Sequence, residues 1–145
     1  MKNILFFYVF SLLPFLLSAQ CWIGQYQNPS KNYLYDLYFI DSLTGWAAGS
    51  KGEIVYTTNG GVNWNPGIND ASNFDLHSIF FNNSKKGWCV WDWGIILRIN
   101  DGGLNWKSKI LDPTDFLNSV YFIDSLKGYA SGGGGLYLTK DGGEN

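Results

Sequence analysis

The chain has 145 residues, 46% of them hydrophobic and 18% aromatic, with only 15% charged and a net charge of −2. That balance, with no basic cluster beyond Lys85-Lys86, excludes an electrostatic nucleic-acid footprint. Two cysteines, Cys21 and Cys89, cannot supply a disulfide framework.

Residues 1–19 read as a secretory signal peptide. Lys2 is a short positive region, Ile4 to Leu17 is apolar, and Leu17-Ser18-Ala19 approximates a small-residue cleavage site. The apolar run is too short, and too soon interrupted by Pro14, for a comfortable membrane span; an uncleaved anchor is the alternative. Cys21 invites lipidation, but Gln20 stands where a lipobox needs a small residue. The mature chain, residues 20–145, suffices for one small domain with a net charge near −3 and no further membrane span. Its expected location is secreted or cell surface.

Trp22-Ile23-Gly24-Gln25-Tyr26 comes first, in the position of a strand. Three similar units follow. The first places strands at residues 37–40, 45–48 and 54–57, the second at 79–81, 87–90 and 95–98, and the third at 120–123, 128–130 and 136–139. Each run is β-branched or aromatic and is bounded by Gly, Asn, Asp and Ser, the residues of turns. A fourth strand begins at the tryptophan of Trp64-Asn65-Pro66 and of Trp106 to Ile110, with Pro66 tolerable on an outer edge and with Trp64 and Trp106 expected to be buried at equivalent positions, as apolar plugs under their hairpins. The runs are apolar on successive residues, as sheets packed on both faces require. No helical periodicity appears after the signal peptide.

The units keep register. Gly45-Trp46, Gly87-Trp88 and Gly128-Tyr129 are spaced 42 and 41 residues apart, and Trp22, Trp64 and Trp106 are spaced 42 and 42. The turns Asn59-Gly60-Gly61, Asp101-Gly102-Gly103 and Asp141-Gly142-Gly143 recur at 42 and 40. A period of about 40–45 residues with four short strands per unit defines the blades of an all-β propeller of four-stranded antiparallel sheets.

The segments Thr57 to Trp64, Ile99 to Trp106 and Thr139 to Asn145 carry a family resemblance. They are similar to the Asp-box, S/T-x-D-x-G-x-T/S-W, with Ile99 replacing the first hydroxyl of the middle copy and Asn63, Asn105 and Asn145 replacing its Thr or Ser. The acidic residue can accept N–H groups of its own turn, and the glycines supply positive φ. Over residues 22–145 the chain resembles Asp-box (BNR-like) propellers of the photosystem II stability/assembly-factor type. The resemblance implies a propeller fold and structural Asp-boxes on the rim, and it implies no particular activity. Trp22 precedes Gly45 by 23 residues, as Trp64 precedes Gly87, and the register expects a tryptophan after Asn145. The chain therefore reads as a latch strand, two blades and most of a third, a fragment of a larger ring.

No catalytic residue, metal site or cofactor is expected. Ser131 to Gly135 lacks the context of a phosphate cradle, and one carboxylate per Asp-box is too few for calcium. His77 is the only histidine and Arg98 the only arginine, too little for zinc or for the arginine cluster of a sialidase. One loop departs from its siblings: Trp91-Asp92-Trp93 stands where the other units have Gly49-Ser50-Lys51 and Gly132-Gly133-Gly134. Tryptophan faces stack on sugars and peptides, and an acid between them can orient a polar ligand; filling a gap against the next loop is the alternative. The expected function is non-catalytic binding of protein or glycan through blade-end loops, with Trp91, Asp92 and Trp93 as ligand contacts and both tryptophans exposed. The rival is a glycoside hydrolase, sialidase-like or polysaccharide-acting, with its catalytic residues in other blades.

Overall fold

The computed structural model describes residues 22–27, 29, 31–67, 73–102 and 105–145. The expected signal peptide and Cys21 lie outside the described residues. Three antiparallel sheets follow one another. The first contains β1 (Leu34–Phe39), β2 (Gly45–Gly49), β3 (Ile54–Thr57) and β4 (Asn65–Pro66). The second contains β5 (Leu76–Phe81), β6 (Gly87–Trp91), β7 (Ile95–Ile99) and β8 (Lys107–Ile110). The third contains β9 (Leu117–Phe122), β10 (Gly128–Gly132) and β11 (Leu136–Thr139). Within each sheet, strands pair with their neighbours in sequence, which makes these sheets blades of a β-propeller. The only helical turn among the described residues is a short 3-10 turn, Ser50–Gly52.

The glycine-aromatic step has a packing cause. A Cβ built on Gly45, Gly87 or Gly128 would stand 2.7, 2.6 or 2.4 Å from the ring of Phe39, Phe81 or Phe122 on the strand beside it. Only glycine lets that ring lie flat across the sheet. The aromatic residue of the preceding blade then stacks on the exposed side of the same ring. Trp46 lies 3.7 Å from Phe81 at 6°, and Trp88 lies 3.6 Å from Phe122 at 12°. Trp88 Nε1 also donates to the Gly142 carbonyl at 3.0 Å, in the double-glycine turn of the third blade. One residue thus joins two blades by stacking and by a hydrogen bond.

The middle blade is buried on both faces. Ile79, Phe81, Cys89, Leu97 and Ile99 pack toward the first blade, and Phe80, Trp88 and Val90 toward the third. Burial pushes the Cys89 thiol well above its ordinary value, with a smaller contribution from Asp36; the thiol behaves as a small apolar side chain. A polar clasp crosses both interfaces near the inner strands. Asp36 Oδ2 accepts from Ser78 Oγ at 2.8 Å and from Ile79 N–H at 2.9 Å, and Ser78 Oγ in turn accepts from Val120 N–H at 3.4 Å.

The Asp-box turns are closed on themselves. Thr57 Oγ1 donates to Asn59 Oδ1 and accepts from Gly61 N–H; Thr139 and Asp141 repeat this with Gly143. Asp101 and Asp141 also accept from the backbone and side-chain amides of Asn105 and Asn145, so the replacement of Thr or Ser preserves the bond. The Thr139 hydroxyl leads the contacts that lower the Asp141 carboxyl to about 2. Each turn docks on the hairpin of its own blade, through Gly60 N–H to Leu43, Gly102 to Lys85 and Gly142 to Leu126 carbonyls.

Three expectations need correction. The inner strands β1, β5 and β9 begin three residues earlier than the pattern suggests, because a bulge interrupts each of them near its start. The bulge carries Tyr35-Asp36, His77-Ser78 and Asn118-Ser119, which hide Leu34, Leu76 and Leu117 from an alternation count. Trp64 and Trp106 are half-buried, not buried: each stands edge-on to Phe39 or Phe81, at 6.0 Å and 89° or 6.2 Å and 88°, with one side left open on the rim. Trp22 to Tyr26 forms no strand; Trp22 is 95% exposed, and Tyr26 anchors the segment by donating to Glu53.

Candidate functional site on the hairpin face

The hairpins β2–β3, β6–β7 and β10–β11 emerge at the same end of the blades as the starts of the inner strands. Each hairpin is tied to the chain entering the following or its own inner strand. Ser50 N–H donates to the Tyr33 carbonyl, Gly52 N–H to the Phe74 carbonyl and Lys51 N–H to Asp75 Oδ1. Asp92 bridges to Phe116, and the Leu111 N–H donates to the Gly94 carbonyl. A Cβ on Gly94 would stand 2.0 Å from the Asp112 carbonyl, so this corner admits no side chain. The glycine loop wraps Asp115, whose Oδ1 accepts from Gly134 N–H at 2.5 Å and from Phe116 N–H at 2.6 Å. Asp115 is buried. Desolvation pushes its carboxyl up, yet these two N–H groups and the nearby Tyr137 hydroxyl outweigh that and hold it below its ordinary value.

The structure separates the three residues of the odd loop. Trp91 ends β6 and is only 5% exposed; Phe74 covers it, with rings 5.1 Å apart at 11°. Its buried Nε1 donor has no acceptor among the described residues. Trp93 occupies the hairpin tip and is 55% exposed, edge-on to Phe74 at 6.0 Å and 64°. The expectation of two exposed tryptophans therefore holds at Trp93 and fails at Trp91, because β6 alternates and turns Trp91 toward the first blade. Trp93 and Gly94 both take positive φ, 65° and 63°, the same pair of conformations as Lys51 and Gly52 at 55° and 70°. A left-handed tryptophan is unfavourable by roughly 1–2 kcal/mol, which the pinned hairpin sustains.

Asp92 is half-buried, and its Oδ1 is hydrogen-bonded to His77 Nε2 at 2.7 Å. His77 stacks on Tyr35 at 5.9 Å and 28°, and Tyr35 stacks on Tyr33 at 6.5 Å and 16°. The Tyr35 hydroxyl donates to Asp75 Oδ2 at 3.1 Å; partial burial, then this bond, raise the phenol above its ordinary value. The result is a continuous row across two blades, Tyr33, Tyr35, His77 and Asp92, flanked by Phe74 and Trp93. Sequence reading found only the Asp92–Trp93 end of it. Tyr35 and His77 lie at the bulges, where each unit carries a different residue, and Tyr33 and Phe74 lie just before β1 and β5, where no repeat signal marks them. A separate concavity of about 370 Å³, lined by Trp88, Arg98, Tyr129, Tyr137 and Glu144, lies between the second and third blades. The bidentate pairing of Arg98 with Glu144 crosses it, so it belongs to blade packing.

The blades, the self-closed Asp-boxes and the hairpin face together define an Asp-box β-propeller with an aromatic and acidic end surface. Residues 17–145 match the family described as Photosynthesis system II assembly factor YCF48, and the chain belongs to that family. It is similar to the solved structure of YCF48 bound to D1 peptide, with 30% identity, TM-score 0.73, and coverage of 83% of this chain and 41% of that one. It is also similar to YCF48 from Cyanidioschyzon merolae, with 25% identity, TM-score 0.69, and coverage of 82% and 40%. The chain thus spans about two fifths of the length of these relatives. An ancestral GH74 enzyme at 18% identity and TM-score 0.61, with 76% of this chain and 17% of that one covered, shares the fold alone. No curated protein matches the chain.

Proposed function

We propose that this propeller is a non-catalytic binding module that holds a segment of a protein partner on its hairpin face. The observation that carries the reading is the aromatic row itself: Tyr33, Phe74 and Trp93 present exposed rings beside two carboxylates on a rigid set of hairpins. Rigid aromatic rings supply contact area at low entropic cost, and polar groups among them fix register. Trp93 and Asp92 are direct contacts in this reading, with Trp91 as the buried floor under Phe74. The similarity to a YCF48 structure bound to D1 peptide supports a peptide over a glycan as ligand. The acidic residues Asp41, Asp101, Asp112, Asp124 and Asp141 are occupied in accepting bonds from their own turns, which favours binding over hydrolysis. Export through a cleaved N-terminal signal, to a secreted or cell-surface location, is part of the proposal; mass spectrometry of exported material should show a start near Gln20 or Cys21.

The test is retention of the intact protein on immobilised peptide pools and on chitohexaose or cellohexaose columns. Peptide retention that Trp93→Ala weakens supports the reading. Retention on oligosaccharide alone contradicts it.

A further inference from the structure

We infer that the hairpin face selects a basic side chain of its peptide, seated beside Trp93 between the carboxylates of Asp75 and Asp92. The inference rests on the peptide-binding reading above and adds the chemistry of the residue recognised. Two observations converge on it.

The first is charge. Asp75 and Asp92 stand at the two ends of one chain of contacts: Asp75 bonded to the Tyr35 hydroxyl, Tyr35 stacked on His77, and His77 bonded to Asp92. Asp92 uses Oδ1 for His77, and its Oδ2 carries no bond among the described residues. Asp75 binds Lys51 N–H through Oδ1 and the Tyr35 hydroxyl through Oδ2, leaving a lone pair on each oxygen. Against these two carboxylates the face sets the exposed ammonium of Lys51. Carboxylates held in place by hydrogen bonds keep their geometry for an incoming guanidinium or ammonium.

The second is the rings. Phe74 and Trp93, the sequence neighbours of Asp75 and Asp92, offer exposed rings next to those carboxylates, and a cation over an aromatic face is attracted by its quadrupole. Trp93 is held out from the hairpin in a conformation that costs energy, and Phe74 braces it from one edge.

The test uses the intact protein and an immobilised nonapeptide library whose central residue is fixed as Arg, Lys, citrulline or Glu. Arg and Lys peptides should be retained about tenfold more strongly than citrulline or Glu peptides, the range of a partly desolvated charge pair. Asp92→Asn keeps an acceptor for His77, and Asp75→Asn keeps one of the two acceptors that Tyr35 and Lys51 N–H use; each should erase most of that preference. Lys51→Gln should increase it. Melting temperatures confirm that each variant is folded, and the two aspartate variants serve as alternates for one another. Retention that is indifferent to the central residue, or unchanged in both asparagine variants, overturns the inference. If Trp93→Ala still abolishes that indifferent retention, the peptide-binding reading survives alone. Binding to oligosaccharide with no peptide retained overturns both.

Discussion

Trp88→Ala is the substitution that most directly probes how the blades hold together. Trp88 is fully buried, its ring stacks on Phe122 of the next blade at 3.6 Å, and its Nε1 donates to the Gly142 carbonyl. Truncating a buried aromatic ring costs about 3–5 kcal/mol through lost transfer energy and the cavity left behind. Losing the hydrogen bond to Gly142 adds about 1 kcal/mol. The total, about 4–6 kcal/mol, is a large part of the roughly 5–15 kcal/mol available to a domain. Trp88→Phe keeps a ring on Phe122 and should recover more than half of the loss. Trp93→Ala, at an exposed hairpin tip, should stay within about 1 kcal/mol of the parent. Urea unfolding, read as a change in midpoint at constant slope, gives these differences directly. A loss below about 1 kcal/mol for Trp88→Ala, or an equal loss for Trp93→Ala, would refute the packing argument.

Gly87→Ala drives a Cβ to 2.6 Å from the Phe81 ring and should destabilise by about 1–3 kcal/mol, whereas Gly24→Ala meets nothing within 4 Å and should be neutral in the same unfolding assay. The Asp141 carboxyl sits near 2 when folded against an ordinary 3.8, so its stabilisation is present above about pH 4 and is lost as pH falls toward 2. Melting temperature should therefore drop more steeply across that window in the parent than in Asp141→Asn; identical slopes would count against the self-closed turn. Trp93→Asn places a residue tolerant of positive φ at the strained tip and should cost no more than about 1 kcal/mol while weakening ligand retention. Greater destabilisation would mean that Trp93 packs more than it presents.

The repeat was legible because its cause is local and identical in each blade. A glycine that admits Phe39, Phe81 or Phe122, and a turn that closes on Thr57 or Thr139, must recur wherever a blade recurs. The candidate face was legible only in part for the opposite reason. Tyr35, His77 and Asn118 occupy the same bulge in three blades but carry three chemistries, so no period selects them. Trp91 shows a different limit. Its neighbour Trp93 has the same residue type two positions away, yet the sheet buries one and the hairpin turn exposes the other. Burial here depends on Phe74, which arrives from the chain before β5 and is invisible to any local reading.

The central claim, that ligand sits on the hairpin face, is tested most directly by hydrogen–deuterium exchange of the intact protein with and without a retained Arg-centred nonapeptide. Peptide should slow exchange in residues 74–78 and 91–95, around Phe74, His77, Asp92 and Trp93. Protection confined to the Asp-box turns, at residues 59–61 and 141–143 on the opposite end of the blades, would contradict the claim.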